Sequence, residues 1–142
     1  MSDREPEVVR LDIPSNAKYL TLLSACIAEM LARADNLVQR ETVTYNIQLA
    51  AHETCTNIID HAYAGNKQSR IMIHLALLEQ PYRLVIDLFD TGRSFDLDLM
   101  PAPDLDQPQV HGYGLFIVRS LMDEVVYQPQ TGNNHWCLIK HL

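Results

Sequence analysis

Residues 51–65 read AHETCTNIIDHAYAG, and the reading of this stretch decides the fold. It opens on His52-Glu53 and returns to His61, the residue types of a metal site. A zinc-binding HExxH helix needs two histidines one turn apart, and position 56 is Thr, so that pattern fails. On a helix turning about 100° per residue, His52 and His61 fall on opposite sides and cannot reach one ion. Glu53, Asn57 and His61 instead recur at i, i+4 and i+8 and share a face, with Asp60 beside them. For any single member a solvated polar face is the ordinary explanation. Asn57 is the informative one, because Asn prefers caps and turns to helix interiors. Its amide oxygen is a neutral hard ligand suited to a Mg²⁺ that also holds phosphate oxygens and water. A carboxylate one turn away can polarise an attacking hydroxyl.

Working outward, the polar stripe lies on a helix predicted from about Glu41 to Tyr63. Val43, Ile47, Ala50, Ala51, Thr54, Ile58 and Ala62 face inward, and Gly65-Asn66 ends it. An earlier helix starts after Pro14 with Ser15 as N-cap. It carries its apolar stripe through Leu20, Leu23, Ile27, Met30/Leu31 and Ala34. VVRLDI before it reads as a strand. RIMIHLALLE (70–79) and YRLVIDLFD (82–90) read as a hairpin through Gln80-Pro81. The stretch from Gly92 to Gly112 holds three prolines and four aspartates without periodicity, the pattern of a functional loop or lid. A Gly-marked helix, GYGLFIVRSLMDEV, follows. VVYQP and HWCLIKHL then form a final hairpin, in which Trp136 and Tyr127 are read as packing residues. This order predicts one α+β domain over residues 1–142, a two-layer sandwich with helices on one face of a mixed, mostly antiparallel sheet.

Composition excludes several classes. Eighteen acidic residues against eleven basic ones give a net charge of −7 without a Lys/Arg cluster, which disfavours nucleic acid and anionic membranes as partners. Cys26, Cys55 and Cys137 form no CxxC and are odd in number, as suits buried thiols in a reducing compartment. Cys55 reads as an inert buried thiol. The polar N-terminus lacks the pattern of a signal peptide, and no apolar run approaches the roughly 20 residues of a membrane span, so a cytoplasmic location is expected.

Two further segments bear on the helix. In LVIDLFDTGRSFD an apolar strand ends at Asp90 before Thr91-Gly92. A carboxylate there can accept from an exocyclic amine such as that of adenine, and Gly92 lets backbone approach a flat ring. The alternative is a plain strand-end turn. Gly112-Tyr113-Gly114-Leu115 then opens a helix whose free N–H groups suit phosphate, or serves only as a hinge.

In order and spacing, E53xxxN57, D90xG92 and G112xG114L resemble the N, G1 and G2 boxes of the GHKL ATPase superfamily. HETCTNIIDHAY, DTGRSFD and GYGLFIVRSLMDEV are most similar to the anti-sigma factor serine/threonine kinases of the RsbW and SpoIIAB type. The resemblance covers nearly the whole chain. It implies a Bergerat fold binding Mg²⁺ and ATP under a mobile lid over about 92–113. Glu53 would be the catalytic base, Asn57 the Mg²⁺ ligand, Asp90 the adenine contact and Gly92 part of the adenine wall. Gly112 and Gly114 would hold the phosphates, with Tyr113 and Leu115 beside them, and Asp60 and His61 would border the nucleotide site. It also implies a partner switch, in which the protein binds a sigma factor and phosphorylates a STAS-domain anti-anti-sigma protein, as a homodimer in many members.

The chain departs from the pattern at two places. Ser94 replaces the second glycine of DxGxG, as in the anti-sigma branch, and Val110-His111 stand where some relatives place a basic residue. The second departure motivates an alternative, a binding module that sequesters its partner without phosphorylating it. A histidine kinase catalytic domain is a more distant alternative, since 142 residues leave no room for a dimerisation helix carrying the phospho-acceptor.

Overall fold

The computed structural model describes residues 7–95 and 113–142. Five strands, β1 (Val8–Pro14), β2 (Arg70–Leu78), β3 (Arg83–Asp90), β4 (Glu124–Gln128) and β5 (Asn134–His141), form one sheet in the order β1-β2-β3-β5-β4. Every pairing is antiparallel, so the sheet expected to be mostly antiparallel contains no parallel pair among these strands.

Alternation fixes which face is covered. Ile71, Ile73 and Leu75 of β2 and Leu84, Ile86 and Leu88 of β3 point to the helix side and are fully buried, while the residues between them are half-buried or exposed. Against that face lie α1 (Leu20–Ala32), α2 (Arg40–Asn57) and α3 (Tyr113–Leu121). The predicted stripes are the buried ones: Leu20, Leu23, Ile27 and Leu31 from α1, and Ile47, Ala50, Ala51 and Thr54 from α2.

Two local expectations are corrected. Ser15 does not cap α1. Its hydroxyl donates to the Asn66 carbonyl at 2.6 Å and its N–H to the Ser69 carbonyl at 2.8 Å, which ties the end of β1 to the turn before β2. Capping falls to Asn16, whose side-chain oxygen accepts from Lys18 N at the start of a 3₁₀ turn, Ala17–Tyr19, leading into α1. The second correction concerns the long helix. Its α-helical part ends at Asn57, and Ile58–Ala62 wind as a π-helix, with the N–H of Tyr63 donating five residues back to Ile58 at 3.0 Å. Gly65 ends it in the left-handed conformation, φ 81°, as predicted.

Candidate nucleotide site

The site begins where β3 ends. Asp90 is paired in register with Asn134, the first residue of β5, and both side chains lie on the buried face at 2% and 0% exposure. Asn134 uses its whole amide. Its Nδ2 donates to Asp90 Oδ1 at 3.0 Å and to the Gly92 carbonyl at 2.9 Å, and its Oδ1 accepts from Ser94 Oγ at 2.6 Å and Gln130 N at 3.2 Å. Gly92 N donates to Asp90 Oδ1 as well, at 2.9 Å. Tyr63 holds the turn from the other side: its hydroxyl donates to the Arg70 carbonyl at 2.6 Å and accepts from Thr91 N at 2.8 Å.

One atom is left over. Asp90 Oδ2 is buried and has no hydrogen-bond partner among the described residues. Burial pushes the Asp90 carboxyl above its ordinary range, against the opposing hydrogen bonds from Asn134 and Gly92. A buried acceptor without a partner costs about 1–3 kcal/mol, so an oxygen kept this way is fitted to a donor that arrives from outside. An exocyclic amine is such a donor.

Gly92 has a second reason to be glycine. A Cβ there would collide with the Ala62 carbonyl, lying 2.6 Å from its carbon and 2.9 Å from Ala62 Cβ. The next residue explains the closeness, because Arg93 N donates to that same carbonyl at 3.0 Å. The π-helical turn and the strand end are thus stitched together through residue 92.

The other wall comes from α2 and α3. Glu53 and Asn57 are half-buried, and the start of α3 lies against their heads. A Cβ on Gly114 would sit 3.1 Å from Asn57 Oδ1, 3.2 Å from Glu53 Oε2 and 3.3 Å from Asn57 Nδ2. Hence residues singled out in two separate segments, Glu53 and Asn57 on α2 and Gly114 on α3, converge on one spot. Beside them Asn57, Phe95, Leu115 and Trp136 line a tight, largely apolar cleft.

The remaining predicted residues are placed less uniformly. The π-helical turn ends the i, i+4, i+8 face after Asn57. Asp60 is exposed, and the His61 ring stands edge-on to Phe95 with centroids 5.9 Å apart. Leu115 is buried at the cleft, and Tyr113 opens α3. Gly112, Val110, His111 and the lid aspartates lie outside the described residues. Arg93 donates its Nε to the His61 carbonyl at 2.8 Å, and Arg119 is exposed in the last turn of α3. Cys55 is fully buried, and burial pushes its thiol up to about 12, which makes it inert.

Asn134, Tyr63, Phe95 and Trp136 are the site residues that sequence reasoning did not assign. TGNN reads as a turn, yet its last Asn begins a strand on the inward phase, where a polar residue calls for a partner. Tyr127 and Trp136 do pack across the final hairpin, with tilted rings whose centroids are 4.3 Å apart, but Trp136 also faces the cleft.

Among the described residues no three His, Cys, Asp or Glu side chains are grouped to hold a metal ion. Asn57 and Glu53 offer an amide oxygen and a carboxylate. This donor set suits a Mg²⁺ that takes most of its ligands from phosphates and water, and would not hold zinc.

The chain matches the family described as histidine kinase-like ATPase domain over residues 13–140. It is similar to the serine-protein kinase RsbW of Bacillus subtilis strain 168, at 26% identity over 134 residues that cover 89% of this chain and 81% of that one. It is also similar to the serine-protein kinase RsbW of Staphylococcus aureus strain JH9, at 28% identity over 139 residues, covering 89% and 82%. Among solved structures, the RsbU and RsbW domains of a Mycobacterium tuberculosis protein share the fold, with a TM-score of 0.67 at 18% identity; the match covers 96% of this chain and 32% of that one. The histidine kinase domain of a blue-light activated kinase from Erythrobacter litoralis gives a TM-score of 0.56 at 20% identity, covering 92% and 62%. With the match running from β1 to β5 and with Asp90, Asn57 and Gly114 inside it, the chain belongs to the histidine kinase-like ATPase domain family.

Proposed function

We propose that the cleft binds ATP with Mg²⁺ and that the protein is a serine/threonine-protein kinase and anti-sigma factor in a partner-switching pathway. The observation that carries the reading is the contact of Gly114 with Glu53 and Asn57, which sets a helix start against an amide and a carboxylate while Asp90 keeps a free acceptor. The names of its relatives, serine-protein kinases, support the choice of phosphoryl transfer to a hydroxyl.

In this reading Asp90 Oδ2 accepts from the adenine amine, and Gly92 supports the base through the turn it shapes. Asn57 holds the Mg²⁺, which when bound neutralises charge on the phosphates. Gly112, Tyr113, Gly114 and Leu115 supply backbone to the phosphates at the start of α3. Glu53 orients the incoming serine or threonine hydroxyl and takes its proton. Positioning and electrostatics carry this class of reaction, so a single carboxylate and one metal-holding amide are a sufficient protein contribution. Asp60 and His61 border the nucleotide, His61 through Phe95. The phosphorylated partner is a STAS-domain anti-anti-sigma protein and the sequestered one a sigma factor, bound by a homodimer in the cytoplasm. Among the described residues no helix is long and apolar enough to cross a membrane, in keeping with this setting.

One observation favours the alternative of a nucleotide-dependent binder without transfer. Arg93 is engaged at a backbone carbonyl, Arg119 is exposed in the last turn of α3, and residues 96–112 contain no Lys or Arg, so no cation is assigned to the developing charge. Mass spectrometry of a STAS-domain partner incubated with Mg²⁺ and ATP separates the two. A phosphate added by the wild type and not by Glu53→Gln supports the kinase. Unmodified partner that still binds in a nucleotide-dependent way supports the binder.

A further inference from the structure

Trp136 is the only tryptophan of the chain and carries the second unpartnered polar atom of the described interior. Its indole is 2% exposed, and Nε1 is buried without a hydrogen-bond partner among the described residues. The indole is held firmly, with Tyr127 packed against it at a tilt, ring centroids 4.3 Å apart, and Phe95 edge-on at 6.0 Å. Buried tryptophan N–H groups usually find an acceptor, and one placed on a cleft wall beside Asn57 can find it in a ligand.

Its position relative to Asp90 is set by the sheet. Asp90 pairs with Asn134, and Trp136 lies two residues further along β5 on the same face. Asp90 and Trp136 are therefore diagonal neighbours, about 7–8 Å apart at the backbone and within reach of each other's ligand through long side chains. One offers an acceptor without a donor, the other a donor without an acceptor. Adenine carries an amine flanked by two ring nitrogens, N1 and N7, and so presents a donor beside an acceptor on either edge.

We infer that Trp136 is a further base-contacting residue, whose indole N–H donates to the adenine ring nitrogen beside the amine that Asp90 accepts. The inference rests on the ATP-binding reading above and adds to it a residue that reads the base. A base with a carbonyl in place of the amine would set oxygen against Asp90 Oδ2. A base without the ring nitrogen would leave the indole N–H unpaired in the complex. Recognition by two opposed unpaired groups is strict because a wrong base leaves at least one of them buried without a partner.

The test is calorimetric titration of the full chain with Mg²⁺ and ATP, 1-deaza-ATP or 7-deaza-ATP, for the wild type and Trp136→Phe, with circular dichroism to check folding. Loss of a neutral hydrogen bond is expected to weaken ATP binding to Trp136→Phe by about fivefold. One deaza analogue should bind the wild type about fivefold more weakly than ATP, yet bind the variant as well as ATP does. Equal binding of ATP and both analogues by the wild type would overturn the inference even if the variant failed to fold. So would an analogue penalty that persists unchanged in Trp136→Phe. A wild type that binds no nucleotide would instead overturn the ATP-binding reading, and the inference with it.

Discussion

The strand-end corner around Asp90 and the wall that α2 and α3 form are built by opposite means. At the corner, Asp90, Gly92 and Asn134 are locked by a closed set of hydrogen bonds, and Tyr63 pins the turn beside them. On the wall, Glu53 and Asn57 are half-buried and approached so closely by Gly114 that a Cβ there would press on their side-chain ends. The contrast teaches that the corner is shaped during folding, whereas the wall is shaped by steric fit and keeps its polar heads for use. Substitutions of Gly92 and Asn134, which shape the corner, should therefore be felt first as lost stability, and those on the wall as lost binding.

Gly92→Ala should have the largest effect. Its Cβ meets a backbone carbonyl that is itself bonded to Arg93 N, and neither can move freely. A loss of about 3 kcal/mol or more is expected, read as a fall of roughly 10 °C in the thermal midpoint. Asn134→Ala should follow at about 2–3 kcal/mol, because it strands the Gly92 carbonyl, Ser94 and Gln130 N and leaves Asp90 with one donor fewer. Chemical denaturation measures both. If either variant kept wild-type stability, the corner would not be the folded framework described here.

Asp90→Asn sharpens the comparison within the corner itself. Burial raises this carboxyl from its ordinary 3.8, so between that value and the raised one the folded state holds more protons than the unfolded state. Stability from this group thus falls as pH rises through the window and stays lower above it. The amide removes the buried charge, so the variant should be at least as stable as the wild type at neutral pH and lose that advantage on acidification. Nucleotide affinity should fall tenfold or more, since an amide nitrogen at the free position meets the adenine amine as a second donor. Unfolding curves across pH, paired with nucleotide titration, check both signs.

Gly114→Ala has the smallest expected effect on stability. The atoms its Cβ meets are side-chain ends that can yield, and alanine favours a helix over glycine by about 0.5–1 kcal/mol. Its midpoint should stay within a few degrees of the wild type while ATP binding drops, the reverse of Gly92→Ala. Equal losses of stability in the two variants would erase the distinction between corner and wall.

Much of the fold was legible in the sequence because the buried faces are written at clear periods. Leu20 to Ala34 and Ile47 to Cys55 recur as helices, and Ile71 to Leu75 and Leu84 to Leu88 alternate as strands. The convergence of Gly114 on Glu53 and Asn57 could not be computed from spacing, and came from motif order. What escaped is instructive. The π-helical turn at Ile58–Ala62 leaves no mark in composition and shifts His61 out of the stripe that α-helical periodicity predicts. Asn134 looked like a turn residue, because nothing local says that its amide will meet Asp90, 44 positions away in sequence. Trp136 was read as packing, which it is, but an unpaired indole N–H is visible only once its neighbours are in place.

The central claim is that the helix carrying Glu53 and Asn57 forms one wall of a magnesium-dependent nucleotide site. Thermal unfolding of the wild type and Asn57→Ala, with and without Mg²⁺ and saturating ATP, tests it most directly. Ligand at about 100 times its Kd adds roughly 2.7 kcal/mol and should raise the wild-type midpoint by several degrees. The account predicts that this shift requires Mg²⁺ and vanishes in Asn57→Ala, whose unliganded midpoint stays near that of the wild type. A shift of equal size in both proteins, or none in the wild type, would contradict it.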